Sequence, residues 1–422
     1  MTIHVVQPGE SVYSIAHLYK VPMERIISDN GLSDPSRLAV GQALVIRYPR
    51  QYHIVEQGDT LGSIAARHGT TVTALYQLNP ELNGLPLIAP GQVLILSLEQ
   101  PKEGTLAVNG YAYPGIDRTV LRRTLPYLTW LSVFAYGFTP EGGLLGQQDT
   151  ELVQLARDYG VAPLLVLTTI GEDGSFSSAR AHALLQNDAA QATLLENLAR
   201  TMHAKGYEGL DIDFEYIPPE DREAFTAFVR RAAGRLNPLG FLVSAALAPK
   251  TSATQPGLLY EAHDYRALGE AADQVRLMTY EWGYSRSAPR AVAPLDKVRE
   301  VVQYAKTEIP ADKIMMGVPN YGYEWTAGQP VARSLGNAEA VQLAIQKNAA
   351  IEYDWTAQSP HFSFWQDRLA HNVWFEDARS VRAKLALAAS EGLHGVSIWT
   401  IMRYFPQLFL VLSSLYNIEK RM

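Results

Sequence analysis

The chain has 422 residues, 47% of them hydrophobic and 19% charged, a formal net charge of −7 and no cysteine. That composition fits two or three globular domains with a large core. It excludes disulfides, thiolate nucleophiles and cysteine metal sites, and an acidic balance without a basic tract argues against a nucleic-acid partner.

The N-terminus, Met1 to Gly9, lacks the basic and long apolar regions of a signal peptide, so synthesis in the cytoplasm without an export signal is expected. The apolar run Leu408 to Leu412 is too short to span a membrane, and no membrane partner is expected.

The first hundred residues contain an internal repeat. His4-Val5-Val6-Gln7-Pro8-Gly9-Glu10-Ser11-Val12 returns as His53-Ile54-Val55-Glu56-Gln57-Gly58-Asp59-Thr60-Leu61. Leu38-Ala39-Val40-Gly41-Gln42 returns as Ile88-Ala89-Pro90-Gly91-Gln92. Each copy reads as strand, two short helices, strand, with Ser11 and Thr60 as helix N-caps and Gly41 and Gly91 in the turn before the last strand.

These residues resemble the LysM module, which binds N-acetylglucosamine polymers such as peptidoglycan or chitin. The resemblance implies two modules, over 1–48 and 51–98, with a glycan groove between the loop after the first strand and the loop before the second. It points to Gly9, Glu10, Ser11, Val12 and Asn30 in one copy, and to Gly58, Asp59, Thr60, Leu61, Asn79 and Ile88 in the other. For Ser11 and Thr60, helix capping is an equally open account. Two weak sites in tandem gain from effective concentration on a polymer.

From Thr105 onward apolar strand-like runs alternate with helical patterns. Strands are predicted over 105–110, 129–136, 162–168, 209–215, 241–248, 274–280, 313–319 and 395–400, with helices over 151–159, 190–205, 222–236 and 295–307. Eight strands in this alternation point to an α/β fold, a (β/α)8 TIM barrel over 103–422. The gap before the last strand is too long for one helix and predicts an inserted α+β subdomain over about 326–373. Its aromatic residues Trp355, Phe362, Phe364 and Trp365 are expected to form a small core, with the wall of a cleft as the alternative.

The densest chemistry lies in Gly209-Leu210-Asp211-Ile212-Asp213-Phe214-Glu215-Tyr216. Period-two alternation places three carboxylates on one face of a strand and the apolar side chains on the other. Burying like charges at such spacing requires shared protons and hydrogen bonds. No metal or cofactor is expected, because the ten histidines are scattered without HExxH spacing and no P-loop, dinucleotide glycine pattern or GxSxG elbow is present.

Glu208, Asp211, Asp213 and Glu215 match the acid-x-x-Asp-x-Asp-x-Glu signature of glycoside hydrolase family 18, the chitinase-like barrels, which this region resembles. The match is supported by Asn109-Gly110-Tyr111, Leu277 to Trp282, Gly317 to Gly322 and Ile398-Trp399. Glu208 and Glu281 stand where the family usually has aspartate. The resemblance implies Glu215 as general acid, Asp211 and Asp213 sharing a proton, and Tyr280 as a donor to the substrate acetamido group. Trp399 would floor the cleaved sugar, with Glu281, Trp282, Asn320 and Tyr111 as further contacts.

The two modules on such a barrel, with Tyr280 to Gly283 and Val373 to Ser380, resemble the spore-cortex-lytic N-acetylglucosaminidases of endospore formers. That subgroup implies action on spore-cortex peptidoglycan, a place in the spore coat or cortex after synthesis by the mother cell, and possible spore-coat protein partners. A LysM-anchored endochitinase and a non-catalytic lectin or coat-binding protein are the alternatives.

Overall fold

A computed structural model describes residues 1–170 and 175–421. Eight parallel strands close into a barrel: Gly104–Ala112, Trp130–Phe138, Ala162–Thr168, Gly209–Asp213, Leu242–Leu247, Gln274–Leu277, Ile314–Pro319 and Gly395–Trp399. The last pairs with the first, Ile398 opposite Gly110, which closes the ring. The helices between them bury one apolar face each; Arg222–Leu236, for example, turns Phe225, Phe228 and Val229 inward.

Side chains pointing into the barrel are stacked in layers. Ala107, Trp130, Ala162, Leu164 and Met315 form an apolar plug. Above it lies a polar layer of Asn109, Ser132, Asp211, Ser244, Arg276 and Ser397, all buried. Tyr111, Phe134 and Val166 pack above that with Trp399 against them.

The predicted strands are found, with two of them shortened by two residues or more at the functional end. The ladder of the fourth strand stops at Asp213, opposite Thr168, so Glu215 lies just beyond it. The sixth stops at Leu277, which leaves Tyr280 to Trp282 in the following loop. Neither loop follows strand geometry: Tyr216 has φ +56° and Glu281 φ +67°. Such left-handed conformations cost non-glycine residues about 1–3 kcal/mol and hold only where the surroundings enforce them.

The inserted subdomain is a five-stranded antiparallel sheet running from Gly322 to Trp374, with the helix Asn337–Lys347 packed on it. Its first strand follows almost directly on the seventh barrel strand, so it begins earlier than the expected 326. Phe362 and Phe364 enter its core, whereas Trp355 and Trp365 are 75% and 76% exposed. Alternation along Ser359–Gln366 puts Trp365 on the face opposite Phe364.

Both N-terminal modules have the strand–helix–helix–strand order expected. They do not hang from flexible linkers. Ala43 and Val45 belong to the same core as the barrel helices, and Gln407 donates to the Ala43 carbonyl at 2.7 Å. Ala39 enters the core of the inserted subdomain, and Ile351 N–H donates to the Val40 carbonyl. The two modules meet at Arg47, buried, which donates to Asp29 of its own module and to the Leu78 carbonyl of the other. The helix Pro406–Leu415, buried along its whole length, lies beneath them.

Candidate active site

The cleft at the C-terminal end of the strands has a volume of about 970 Å³. Asp213, Glu215, Tyr111, Tyr280, Glu281, Trp282 and Trp399 line it together. Asp211 lies one layer below, fully buried.

Asp211 accepts from Tyr111 Oη at 2.6 Å, Ser244 Oγ at 2.7 Å and Arg276 Nη1 at 3.2 Å. These partners come from the first, fifth and sixth strands, and Ser244 stands opposite Asp211 in register. A chain of hydrogen bonds continues from Ser132 to Asn109 and from Asn109 to Ser397. A carboxylate met by so many donors is fixed in place as an acceptor, with little capacity left for another partner.

Asp213 is the reverse case. It is 5% exposed, and its Oδ1 has no hydrogen-bond partner. Burial, then the charges of Glu215 and Asp211, raise its carboxyl well above the ordinary range. Asp213 is therefore set to hold a proton and has an unused oxygen to offer.

Glu215 is pushed up to about 7 by burial and, secondarily, by Glu281. The backbone between the two acids is pinned by His263. Its Nδ1 accepts from Ala248 N–H at 2.8 Å, which leaves Nε2 to donate to the Phe214 carbonyl at 3.1 Å. Burial lowers the His263 pKa to about 4, so the ring is neutral and keeps that tautomer. Phe214 itself stacks on Phe225 and Phe228, which fixes the apolar side of the turn.

Glu281, at the exposed rim, accepts from Tyr321 and Tyr323. Displacement of water by the surrounding protein raises its pKa, and the two hydroxyls pull the other way. Trp399 presents its ring among Tyr111, Phe134 and Tyr280, whose centroids lie 5.2, 5.1 and 6.5 Å away. Glu208 lies outside the cleft, where it pairs with Arg157.

Several sequence-predicted contacts have other work. Asn320 lines a side pocket, but its amide donates to the Thr400 and Arg403 carbonyls and its oxygen accepts from Asn337. It holds two loops rather than offering free groups to a sugar. Asn30 and Asn79 are buried, and each amide bridges its helix to the backbone of its module's last strand, at Val45 and Ile95. Val12 and Leu61 are core residues of their modules. Ser11 and Thr60 cap helices in reciprocal capping boxes.

Glu10 and Asp59 accept from backbone N–H groups and pair with His4 and His53. Gly9, Gly58 and the half-buried Ile88 remain at the surface of the loops where a groove is expected. Arg276, Ser244 and His263 escaped the sequence reading. Only Arg276 left a trace there, as a lone charge inside the apolar run Val275 to Met278.

Comparison with known proteins agrees with this fold. The family model for glycosyl hydrolases family 18 matches residues 160–403, and the LysM domain model matches 4–47 and 53–97. The chain is 38% identical to the cortical fragment-lytic enzyme of Bacillus subtilis strain 168, covering 100% of this chain and 99% of that one. The crystal structure of the spore cortex-lytic enzyme SleL of Bacillus megaterium QM B1551 superimposes with a TM-score of 0.84 at 35% identity, over 100% of this chain and 99% of that one. A chitinase structure from Chromobacterium violaceum ATCC 12472 gives a TM-score of 0.69 at 25% identity, over 74% of this chain and 98% of that one. Two LysM modules precede a barrel carrying the Asp211-Asp213-Glu215 set, and the chain belongs to glycosyl hydrolases family 18.

Proposed function

We propose that the protein hydrolyses spore-cortex peptidoglycan, chiefly fragments released by other lytic enzymes, cleaving after N-acetylglucosamine with retention of configuration. The observation that carries this reading is the split between two neighbouring acids: Asp211 saturated with donors, Asp213 buried with an unpartnered oxygen. Full-length likeness to cortical fragment-lytic enzymes supplies the substrate class.

Glu215, protonated up to about pH 7, gives its proton to the glycosidic oxygen. The nucleophile is the carbonyl oxygen of the substrate's own 2-acetamido group, which closes an oxazolinium ring as the glycosidic bond breaks. Asp213 accepts from the acetamido N–H through its unpartnered oxygen and so orients that group, while Tyr280 donates to the acetamido oxygen. Trp399 supports the apolar face of the sugar. Water deprotonated by Glu215 then opens the ring.

The LysM modules hold the enzyme on insoluble glycan through the exposed loops at Gly9 and Gly58. We place the protein at the spore coat and cortex after synthesis in the mother cell, where coat proteins are its partners.

The test is mass spectrometry of cortex fragments and N-acetylchitooligosaccharides digested by the native protein and by Glu215→Gln. Products with reducing-end N-acetylglucosamine, absent with the variant, are expected. Products ending in muramic acid overturn the bond assignment, and equal or better cleavage of chitin favours an endochitinase. Binding without cleavage of either makes the protein a lectin.

A further inference from the structure

A second, smaller cavity of about 440 Å³ adjoins the cleft and shares Glu281 and Trp399 with it. Tyr113, Tyr321 and Tyr323 supply its aromatic walls, and Ser334, Thr400 and Arg403 line it as well. A glycan whose reacting sugar rests on Trp399 therefore has its neighbouring unit within reach of this pocket.

Four cations line the two cavities, and three are committed. Arg276 is tied to Asp211, Arg290 donates to the Trp282 carbonyl at 2.6 Å, and Lys297 pairs with Glu300 at 2.7 Å. Among the described residues the Arg403 guanidinium makes no hydrogen bond or ion pair, although its chain is well placed. Its backbone carbonyl accepts from Asn320, and its methylenes pack where Gly336 leaves room: a Cβ there would lie 3.0 Å from Arg403 Cδ. Among the nearby acids, Glu339 feels the Arg403 charge without contacting it. Glu281 is engaged by Tyr321 and Tyr323, and Glu339 is paired with Arg333 at 2.5 Å.

We infer that this side pocket is a subsite for the unit beside the cleaved sugar and that Arg403 reads a carboxylate on it. This rests on the cortex reading above, because muramic acid carries a lactyl carboxylate where N-acetylglucosamine has a hydroxyl. The carboxylate is free when the stem peptide is absent; otherwise the peptide supplies one. An uncommitted guanidinium matches a carboxylate with paired donors and has nothing comparable to offer a neutral sugar. Arg403 is thus a specificity residue that favours acidic glycans over chitin and takes no part in bond breaking.

The experiment compares kcat/KM of the native protein, Arg403→Ala and Arg403→Lys on four substrates. These are a cortex tetrasaccharide freed of stem peptides, the same with its carboxyls amidated, a peptide-bearing fragment, and N-acetylchitotetraose. Arg403→Ala is expected to lose about tenfold on the free-carboxylate tetrasaccharide and to stay within about twofold on the amidated substrate and on chitotetraose. Arg403→Lys should recover part of the loss.

Loss confined to the peptide-bearing fragment places the carboxylate on the stem and keeps the inference. Equal loss on all four substrates makes Arg403 structural, and no loss on any removes its role; either overturns the inference. If the native protein cleaves chitotetraose and leaves every cortex substrate intact, it is the cortex reading that fails.

Discussion

Arg276 reaches Asp211 at 3.2 Å inside the barrel, and both side chains are almost wholly shielded from water. Without that guanidinium, the buried carboxylate would keep the Tyr111 and Ser244 hydroxyls and, at 3.5 Å, that of Ser132, but no cation. Breaking a buried pair from one side typically costs about 3–5 kcal/mol. Arg276→Met should therefore lower thermal stability markedly. It should also cut kcat by about a hundredfold or more, because Asp211, directly beneath Asp213, would lose one of the groups that fix it. Calorimetry alongside turnover on soluble fragments reads both effects, and native-like turnover would show that Asp211 needs no cation.

Glu215→Gln should lower turnover by about 10²–10⁴-fold, the usual worth of a general acid. In the native protein kcat should fall as pH rises through about 7, when Glu215 loses its proton. Stability carries the same signature. Between the ordinary value of 4.5 and about 7 the folded chain holds a proton that the unfolded chain has lost, so folding weakens as pH rises through that window. Glu215→Gln, neutral in both states, should remove Glu215's share of that decline and leave the share of Asp213, whose carboxyl is also raised. Melting curves at pH 4 and pH 8 make the comparison.

The second cause of the Glu215 shift is the charge of Glu281. Glu281→Gln removes that repulsion, so the alkaline limb of the kcat profile should move to lower pH. Burial, the larger cause, remains, and the limb should stay above the ordinary carboxylate range. A limb that moves upward would show that Glu281 acts on Glu215 other than by its charge.

Deleting residues 1–100 uncovers the helix Pro406–Leu415 and the apolar surface beneath Ala43 and Val45. Each large apolar side chain newly exposed to water costs about 1.5–3 kcal/mol. The truncated barrel should melt at a lower temperature and aggregate more readily. Turnover per folded molecule on small soluble fragments should be kept, since every cleft-lining residue lies from Tyr111 onward, while binding to insoluble wall should weaken. Collapse of turnover in the folded fraction would mean that the modules shape the cleft.

A narrower probe of the same interface is Gly41→Ala. The residue has φ +81°, and an added Cβ would fall 1.8 Å from the Ile351 carbonyl oxygen. That loop must shift, at a cost above about 1 kcal/mol. Limited proteolysis near Val40 should become faster while kcat on small fragments is unchanged.

The repeats, the order of the barrel strands and the three acids were legible in the chain because each is a short-range pattern. Repeated motifs give the modules, period-two alternation puts Asp211, Asp213 and Glu215 on one side, and βα alternation gives the barrel. The same patterns misplace residues whose role depends on distant partners. Asn30 and Asn79 stand in conspicuous places in the repeat, yet their amides are consumed by Val45 and Ile95. Trp365 reads as core until the register of its strand turns it outward, opposite Ala370.

By itself, then, the sequence determined which chemistry the chain possesses. Only the tertiary structure decided how that chemistry is distributed: that Asp211 is saturated while Asp213 waits with a free oxygen, that His263 fixes the turn between Asp213 and Glu215, and that the two modules are built onto the barrel. The reason is physical. A side chain's identity and periodicity are local properties, whereas its charge state, its exposure and its free hydrogen bonds are set by groups brought together across tens to hundreds of residues of chain.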